Sequence, residues 1–176
     1  MNISEDLRFP IGTFVRPEKV TPADCLYAIA TLAELPTSLR NAVAGLDEEQ
    51  LDVPYRPGGW TVRQVVHHIA DSHTNAVLSI RKALTEDWPE IQPYDEKAWA
   101  MLHDYVSPVE WSLELAESLH ARWVMLLQSL VPEQWQRGFQ HPKAGRMSIE
   151  TATLLYAWHS RHHVAHITHL RAQKGW

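Results

Sequence analysis

The sequence predicts an all-α protein, a four-helix bundle with short extra helices and a small hairpin. Two observations carry this prediction. Four long stretches repeat apolar residues at helical spacing behind helix-start signals, and no alternating strand pattern of any length appears outside residues 138–149. The chain has 176 residues, of which 45% are hydrophobic and 21% charged, values typical of a globular protein. We therefore expect a single domain over residues 1–176.

The first predicted helix opens at Thr21, with Pro22 at its first helical position and Asp24 in its first turn. Its apolar pattern continues to Val43. Pro36 has no backbone N–H to donate to the helix, so we expect it to kink or break this helix. The second predicted helix follows the turn-like segment RPGG, where Thr61 and Gln64 have the spacing of a capping box, and its apolar repeat reaches Leu84.

The third predicted long helix starts behind Ser107, which we expect to cap it, and its pattern stops before Pro132. The last runs from Ser148 to about Lys174, with Gly175 as its C-terminal cap. Shorter pieces lie between the long helices. We expect short helices within residues 47–51 and 95–102, and a small hairpin within residues 138–149.

Composition and charge exclude several classes of function. The net charge is −5 and the basic residues are scattered, so no patch is suited to nucleic acid. The sequence has neither a leader pattern nor an apolar run of roughly 18 residues, so we expect a cytoplasmic protein that does not enter a membrane. The lone Cys25 lies in a helical pattern without adjacent cations, and we interpret it as a core residue.

The last helix contains the segment WHSRHHVAHITH, which holds five of the chain's 11 histidines. On a helical wheel His163 lies at the centre of the apolar stripe, with His159 displaced by about 40° and His166 by about 60°. The i, i+4 pair His159 and His163 therefore faces the bundle interior. The alternative pair, His162 with His166, has the same spacing but faces away from the centre of the stripe.

Two buried imidazoles in an apolar seam need polar partners, and a divalent metal ion supplies one. Catalytic sites usually hold such an ion with three protein ligands and leave a position open. The second helix offers three candidates for the third ligand: His67, His68 and His73. The wheel favours His73, but bundle rotation could bring the others toward a cleft, so periodicity leaves the third ligand open.

Long stretches of the chain resemble the DinB/YfiT-like superfamily, and within it the YfiT-type metal-dependent hydrolases. The resemblance rests on the segments FPIG, LDVPYRPGGWTVRQVVHHIADSH, QPYDEKAW, RGFQHP and WHSRHHVAHITHL. In that family a metal-binding histidine follows the tryptophan before the second helix by eight positions, which corresponds to His68 after Trp60. The family's final His-x-x-x-His motif corresponds to His159 and His163. The resemblance implies a four-helix bundle with three histidine ligands and water at the remaining positions.

The resemblance also implies a function. We expect a hydrolase in which the ion, zinc by default or nickel, activates a bound water against a small-molecule substrate. A second hypothesis is a transferase that moves a low-molecular-weight thiol of the bacillithiol type onto an electrophile, since several DinB-like proteins resemble thiol S-transferases. A third is a non-enzymatic metal-binding bundle. The motif contains no carboxylate base of the H-E-x-x-H kind, which slightly favours thiol delivery. The relatives also suggest a homodimer.

Further residues are assigned by their place near these motifs. Asp71, Tyr94 and Asp95 are the weak candidates for a catalytic group beside the water. Trp60 and Trp158 are expected to wall the pocket. We interpret His73 as a hydrogen-bonded core residue. The remaining histidines near the motifs are expected at the surface or behind the ligands: His67, His162 and His169.

Overall fold

The structure is a computed structural model that describes residues 7–176. Four long helices dominate it, and short helices and one hairpin connect them. The helices are α1 (Pro22–Val43), α2 (Glu48–Leu51), α3 (Val62–Thr85), α4 (Glu96–Trp99), α5 (Val109–Gln128), α6 (Pro132–Trp135) and α7 (Ile149–Lys174). A 3-10 turn covers His103–Val106, and the hairpin strands are β1 (Gly138–His141) and β2 (Gly145–Ser148). The predicted four-helix bundle is confirmed, and so is the small hairpin.

The sequence signals for helix ends mostly hold. The capping boxes at Thr21 and Thr61 both form, and Ser148 caps α7, which ends at Gly175 in a left-handed conformation with φ of 72°. The cap expected at Ser107 is wrong by one residue. Pro108 occupies the cap position of α5 without a side-chain hydrogen bond, and the backbone of Ser107 before it is extended.

We expected Pro36 to kink or break this helix, and the break does not occur, because α1 runs without interruption through this residue. The missing N–H of Pro36 leaves the carbonyl oxygen of Leu32 without its helical donor. The ring Nδ1 of His120, on α5, donates to this oxygen over 2.7 Å instead. The replacement hydrogen bond satisfies the carbonyl, so the helix can continue.

The four long helices bury two apolar clusters, one toward each end of the bundle. α1 packs against α5 and α7, and α3 packs against the same two helices. On α3, residues 62–69 belong to one cluster and residues 76–83 to the other. His73 lies between these two runs and is completely buried. On α7, Ile149 and Ala152 belong to one cluster and Ile167 and Leu170 to the other, so the histidines at residues 159–163 place a layer of imidazoles across the middle of the bundle.

The hairpin leads directly into the histidine-rich helix. Its strands pair in antiparallel register, from Gly138 opposite Ser148 to His141 opposite Gly145. The backbone N–H of Ile149 then donates to the carbonyl oxygen of Arg137 over 2.8 Å, which ties the first residue of α7 to the residue before β1. Across residues 7–176, no helix has both the length and the apolar character needed to span a membrane.

Candidate metal centre

A cavity of about 540 Å³ opens above the middle of the bundle. Its floor is formed by histidines of α3 and α7. Its walls come from the segment at residues 8–9, the segment at residues 91–96 and the hairpin. Trp60 and Trp158 both line it, as expected, and the Trp60 ring lies 4.5 Å from the ring of His68, centroid to centroid. These aromatic rings give the cavity apolar walls beside the polar imidazoles.

Three imidazoles converge on the floor of this cavity. Within residues 7–176, the ligand atoms of His68, His159 and His163 lie within 4.8 Å of one another. The Nε2 atom of His159 is 3.3 Å from Nε2 of His68 and 3.1 Å from Nε2 of His163. A tetrahedral zinc ion with zinc–nitrogen bonds of about 2.0–2.1 Å separates its ligand nitrogens by roughly 3.3 Å. Both of these nitrogen–nitrogen distances therefore suit such an ion.

The hydrogen bonds around His163 show which of its nitrogens is available. Nε2 of His166 lies 3.1 Å from the carbonyl oxygen of Arg8, which can only accept, so this nitrogen carries a hydrogen. In a neutral ring Nδ1 of His166 is then an acceptor, and it receives the Nδ1–H of His163 over 3.3 Å. Nε2 of His163 is left with a lone pair that points into the cluster. A cation fits this position because lone pairs facing one another would repel.

His68 differs from the other two rings. Its Nδ1 atom is buried and has no hydrogen-bond partner among the described residues. Its Nε2 atom faces the cluster, where it either donates to Nε2 of His159 or offers a lone pair to an ion. Among the described residues, His68 therefore packs against the ring of Trp60 but lacks a hydrogen bond at Nδ1 of the kind that supports His159 and His163.

All three rings are neutral at physiological pH. Burial, with a smaller contribution from His162, lowers the pKa of His68 to about 4. Burial and the neighbouring imidazoles also lower the pKa values of His159 and His163 well below the ordinary value. Neutral imidazole is the form that binds a metal ion, so no proton has to be lost before the site can be filled.

The three candidate catalytic residues lie in different surroundings. Tyr94 lines the cavity, and burial raises its pKa, so its hydroxyl stays protonated. The carboxylate of Asp71 instead accepts a 2.6 Å hydrogen bond from the hydroxyl of Tyr105. Asp95 caps α4, where its carboxylate accepts from the backbone N–H groups of Lys97 and Ala98. Of the three, Tyr94 is the one that faces the candidate centre.

The other histidines divide into buried and exposed groups. His169 is exposed, as expected, but His67 and His162 are buried. His67 is covered because the segment before α5 lies over it, and its Nε2 donates to the carbonyl oxygen of Ser107 over 3.2 Å. His73 is the buried, hydrogen-bonded residue that the sequence predicted, with both nitrogens engaged by other imidazoles.

Sequence reasoning missed His120, which is buried on α5 and bonded to His73. The signal was present, because His120 continues the buried stripe formed on this helix by Ala116, Trp123 and Leu127. When a histidine occupies an apolar position on a helix of a four-helix bundle, its ring is buried and needs a polar partner on another helix.

Comparisons with known proteins show which proteins this chain is similar to. The family model of the DinB superfamily matches residues 31–167. A relative from Oceanobacillus iheyensis named "Putative metal-dependent hydrolase OB0782" is 49% identical over 96% of this chain and 98% of its own. A "Putative metal-dependent hydrolase" from Bacillus cereus is 50% identical over 97% of this chain and 99% of its own.

A solved structure gives the same result for the fold. It is described as "YfiT from Bacillus subtilis is a probable metal-dependent hydrolase with an unusual four-helix bundle topology". It superposes with a TM-score of 0.94 at 46% identity, over 97% of this chain and 99% of its own. The match of the family model and these full-length similarities show that the chain belongs to the DinB superfamily, in its YfiT-like group.

Proposed function

We propose that the protein is a metal-dependent hydrolase whose divalent ion is held by His68, His159 and His163. The observation that carries the proposal is the convergence of three neutral imidazoles on one point at the floor of an open cavity. The names of the relatives support the reaction class. Three neutral ligands leave the charge of the ion uncompensated, and zinc is the first candidate because imidazole and tetrahedral spacing suit it, with nickel second.

When bound, such an ion supplies a Lewis acid that acidifies a coordinated water and polarises a substrate carbonyl. The protein supplies the surroundings. Trp60 and Trp158 add apolar rings to the lining of the cavity beside the imidazoles. The hydroxyls of Tyr94 and Tyr156 line the same cavity, and burial raises the pKa of each. Both therefore remain protonated and can donate a hydrogen bond to an oxygen of the substrate on which negative charge develops.

A second candidate, transfer of a low-molecular-weight thiol of the bacillithiol type, is favoured by the charges of the cavity. Among the described residues that line it, Glu96 is the one carboxylate, whereas Arg8 and Lys143 bring positive charge. A hydrolase commonly uses a carboxylate as general base, but a thiolate needs none, and an anionic thiol would be attracted by the two cations. In this reaction the sulfur attacks the electrophile and the leaving group departs with the electron pair.

The test uses the full-length protein, stripped of metal and reloaded with zinc or with nickel. It is offered generic esters without thiol and, separately, an electrophilic dye with and without cysteine or bacillithiol. Metal-dependent ester hydrolysis that is lost in His163→Ala and kept in His169→Ala supports the hydrolase. Turnover that requires thiol and shows the same pattern supports the transferase instead. Bound metal with neither activity would replace both by a metal-binding protein without catalysis.

A further inference from the structure

A run of hydrogen bonds connects all four long helices and ends at the candidate metal centre. It begins at the carbonyl oxygen of Leu32 on α1, which lies 2.7 Å from Nδ1 of His120 on α5. Nε2 of His120 is 2.9 Å from Nδ1 of His73 on α3. Nε2 of His73 is 3.0 Å from Nδ1 of His159 on α7. We call His120, His73 and His159 the imidazole chain.

The carbonyl oxygen of Leu32, at the start of this run, can only accept a hydrogen bond. In an uninterrupted helix the carbonyl of Leu32 would accept from the backbone N–H four residues later, but that residue is Pro36, which has no N–H. A carbonyl oxygen cannot donate, so Nδ1 of His120 must carry the hydrogen of this bond. Pro36 thus frees an acceptor in the middle of the bundle and fixes the donor that faces it.

The direction of the first bond sets the direction of the others. The rings of His73 and His120 are 0% and 1% exposed, and such burial disfavours a charged imidazole. A neutral imidazole has one donor and one acceptor. Nε2 of His120 therefore accepts from Nδ1–H of His73, and Nε2 of His73 accepts from Nδ1–H of His159. The one nitrogen of the chain left with a free lone pair is Nε2 of His159, which faces His68 and His163.

We propose that Pro36, His120 and His73 are positioning residues for metal binding, which hold His159 in the tautomer with Nδ1 protonated and Nε2 free. This inference rests on the proposed metal site. The opposite tautomer would place a hydrogen on the atom that must bind the ion. None of the three positioning side chains lines the cavity, and Pro36 acts from α1 through the backbone carbonyl of Leu32.

The direct test is the nitrogen spectrum of the metal-free, full-length protein with 15N-labelled histidine. A long-range proton–nitrogen correlation distinguishes protonated from unprotonated ring nitrogens, and single-histidine variants assign the signals. We expect His73, His120 and His159 to be protonated at Nδ1 and unprotonated at Nε2. A folded wild-type protein with Nε2 of His159 protonated would overturn the proposal. Because no metal is used, this result is independent of whether the metal site itself is correctly proposed.

Variants test the consequence for metal binding. His120→Phe and His73→Phe keep a ring of similar shape but remove the donors and acceptors. We expect each to weaken zinc binding by about 10–100-fold, measured by competition with a chromophoric chelator, and Nε2 of His159 to become partly protonated in the spectrum. The matched control is His67→Phe, another buried imidazole on α3 that is bonded to Ser112 rather than to the chain.

Wild-type zinc affinity in folded His120→Phe and His73→Phe would overturn the positioning role. Circular dichroism checks that each variant is folded, and if neither folds, the wild-type spectrum alone decides the matter. If the wild-type protein bound no zinc while its spectrum showed the expected tautomers, the proposed function would fail and the tautomer assignment would stand.

Discussion

The two helices that form the candidate metal centre support their imidazoles in different ways. On α7, His159 and His163 each pass a hydrogen bond to another imidazole, and both runs end on a backbone carbonyl, of Leu32 and of Arg8 respectively. On α3, Nδ1 of His68 is buried without a partner among the described residues. The position of His68 is set by packing against the ring of Trp60.

This difference indicates how the site is prepared for an ion. A ligand whose ring orientation and tautomer are fixed in advance loses little freedom on binding, whereas a ring held by packing alone must still be ordered. In the proposed site the α7 pair would therefore be the pre-formed half, and His68 would be the ligand that must still be ordered when an ion binds.

Acid should produce the largest effect, because it acts on all the buried imidazoles of this layer at once. Burial lowers the pKa values of the imidazoles in this layer, to about 4 for His68, His120 and His166. Unfolded histidine titrates near 6.5, so below that pH the unfolded chain binds protons that the folded protein does not. Stability is thus complete above pH 6.5 and is lost as the pH falls toward 4, by up to about 1.4 kcal/mol per pH unit for each imidazole.

Denaturant titrations of the metal-free protein at pH 7, 6 and 5 measure this loss. The free energy of unfolding should fall at each step, and His120→Phe, which removes one such group, should show a shallower dependence on pH. A free energy of unfolding that is constant between pH 7 and pH 5 would mean that the folded imidazoles take up protons just as those of the unfolded chain do, and the hydrogen-bond directions on α7, which require neutral rings, would then be wrong.

Removal of a single proposed ligand should weaken zinc binding by different amounts on α7 and on α3. We expect His163→Ala to weaken zinc binding by more than about 100-fold, beyond the range seen when a hydrogen-bond partner of a ligand is lost. His68→Ala should cost less, because the pre-formed pair on α7 remains. Competition with a chelator measures both, and the exposed His169→Ala should bind zinc like the wild-type protein. Equal losses at His68 and His163 would remove the distinction between the two sides, and full zinc binding in both would remove the site.

The inward-facing pair of candidate ligands on α7 was predictable from the sequence for a local reason. His159 and His163 are four residues apart on one helix, and the angle between them is fixed by helical geometry. The third candidate ligand was not predictable in this way. A helical wheel gives the angles between residues of one helix, but it does not give the rotation of one helix relative to another. The structure turns His68 toward the cavity and His73 toward α5, and only the family resemblance favoured His68.

Pro36 is a second case in which the local sequence did not predict a contact between helices. The sequence correctly marks the loss of a helical hydrogen bond, and from this we expected a kink or break in α1. The donor that replaces it, His120, is 88 residues from Leu32 in the chain, and no local pattern pairs the two. Caps, apolar stripes and ligand spacing are short-range features and could be predicted, whereas the polar contacts that cross the bundle depend on packing.

The smallest effect is expected when a proposed ligand on α7 is kept but its hydrogen-bond partner is removed. The ring of His166 stacks on Tyr55 at 3.9 Å, and His166→Phe keeps this stacking while it removes the acceptor for Nδ1–H of His163. We expect zinc affinity to fall by about 10–100-fold, less than for loss of His163 itself, and His169→Phe on the exposed face to have no effect. Chelator competition on the three proteins gives the comparison. If His166→Phe bound zinc as tightly as the wild-type protein, packing alone would orient His163 as it does His68, and the two sides of the centre would not differ in the way that matters for binding.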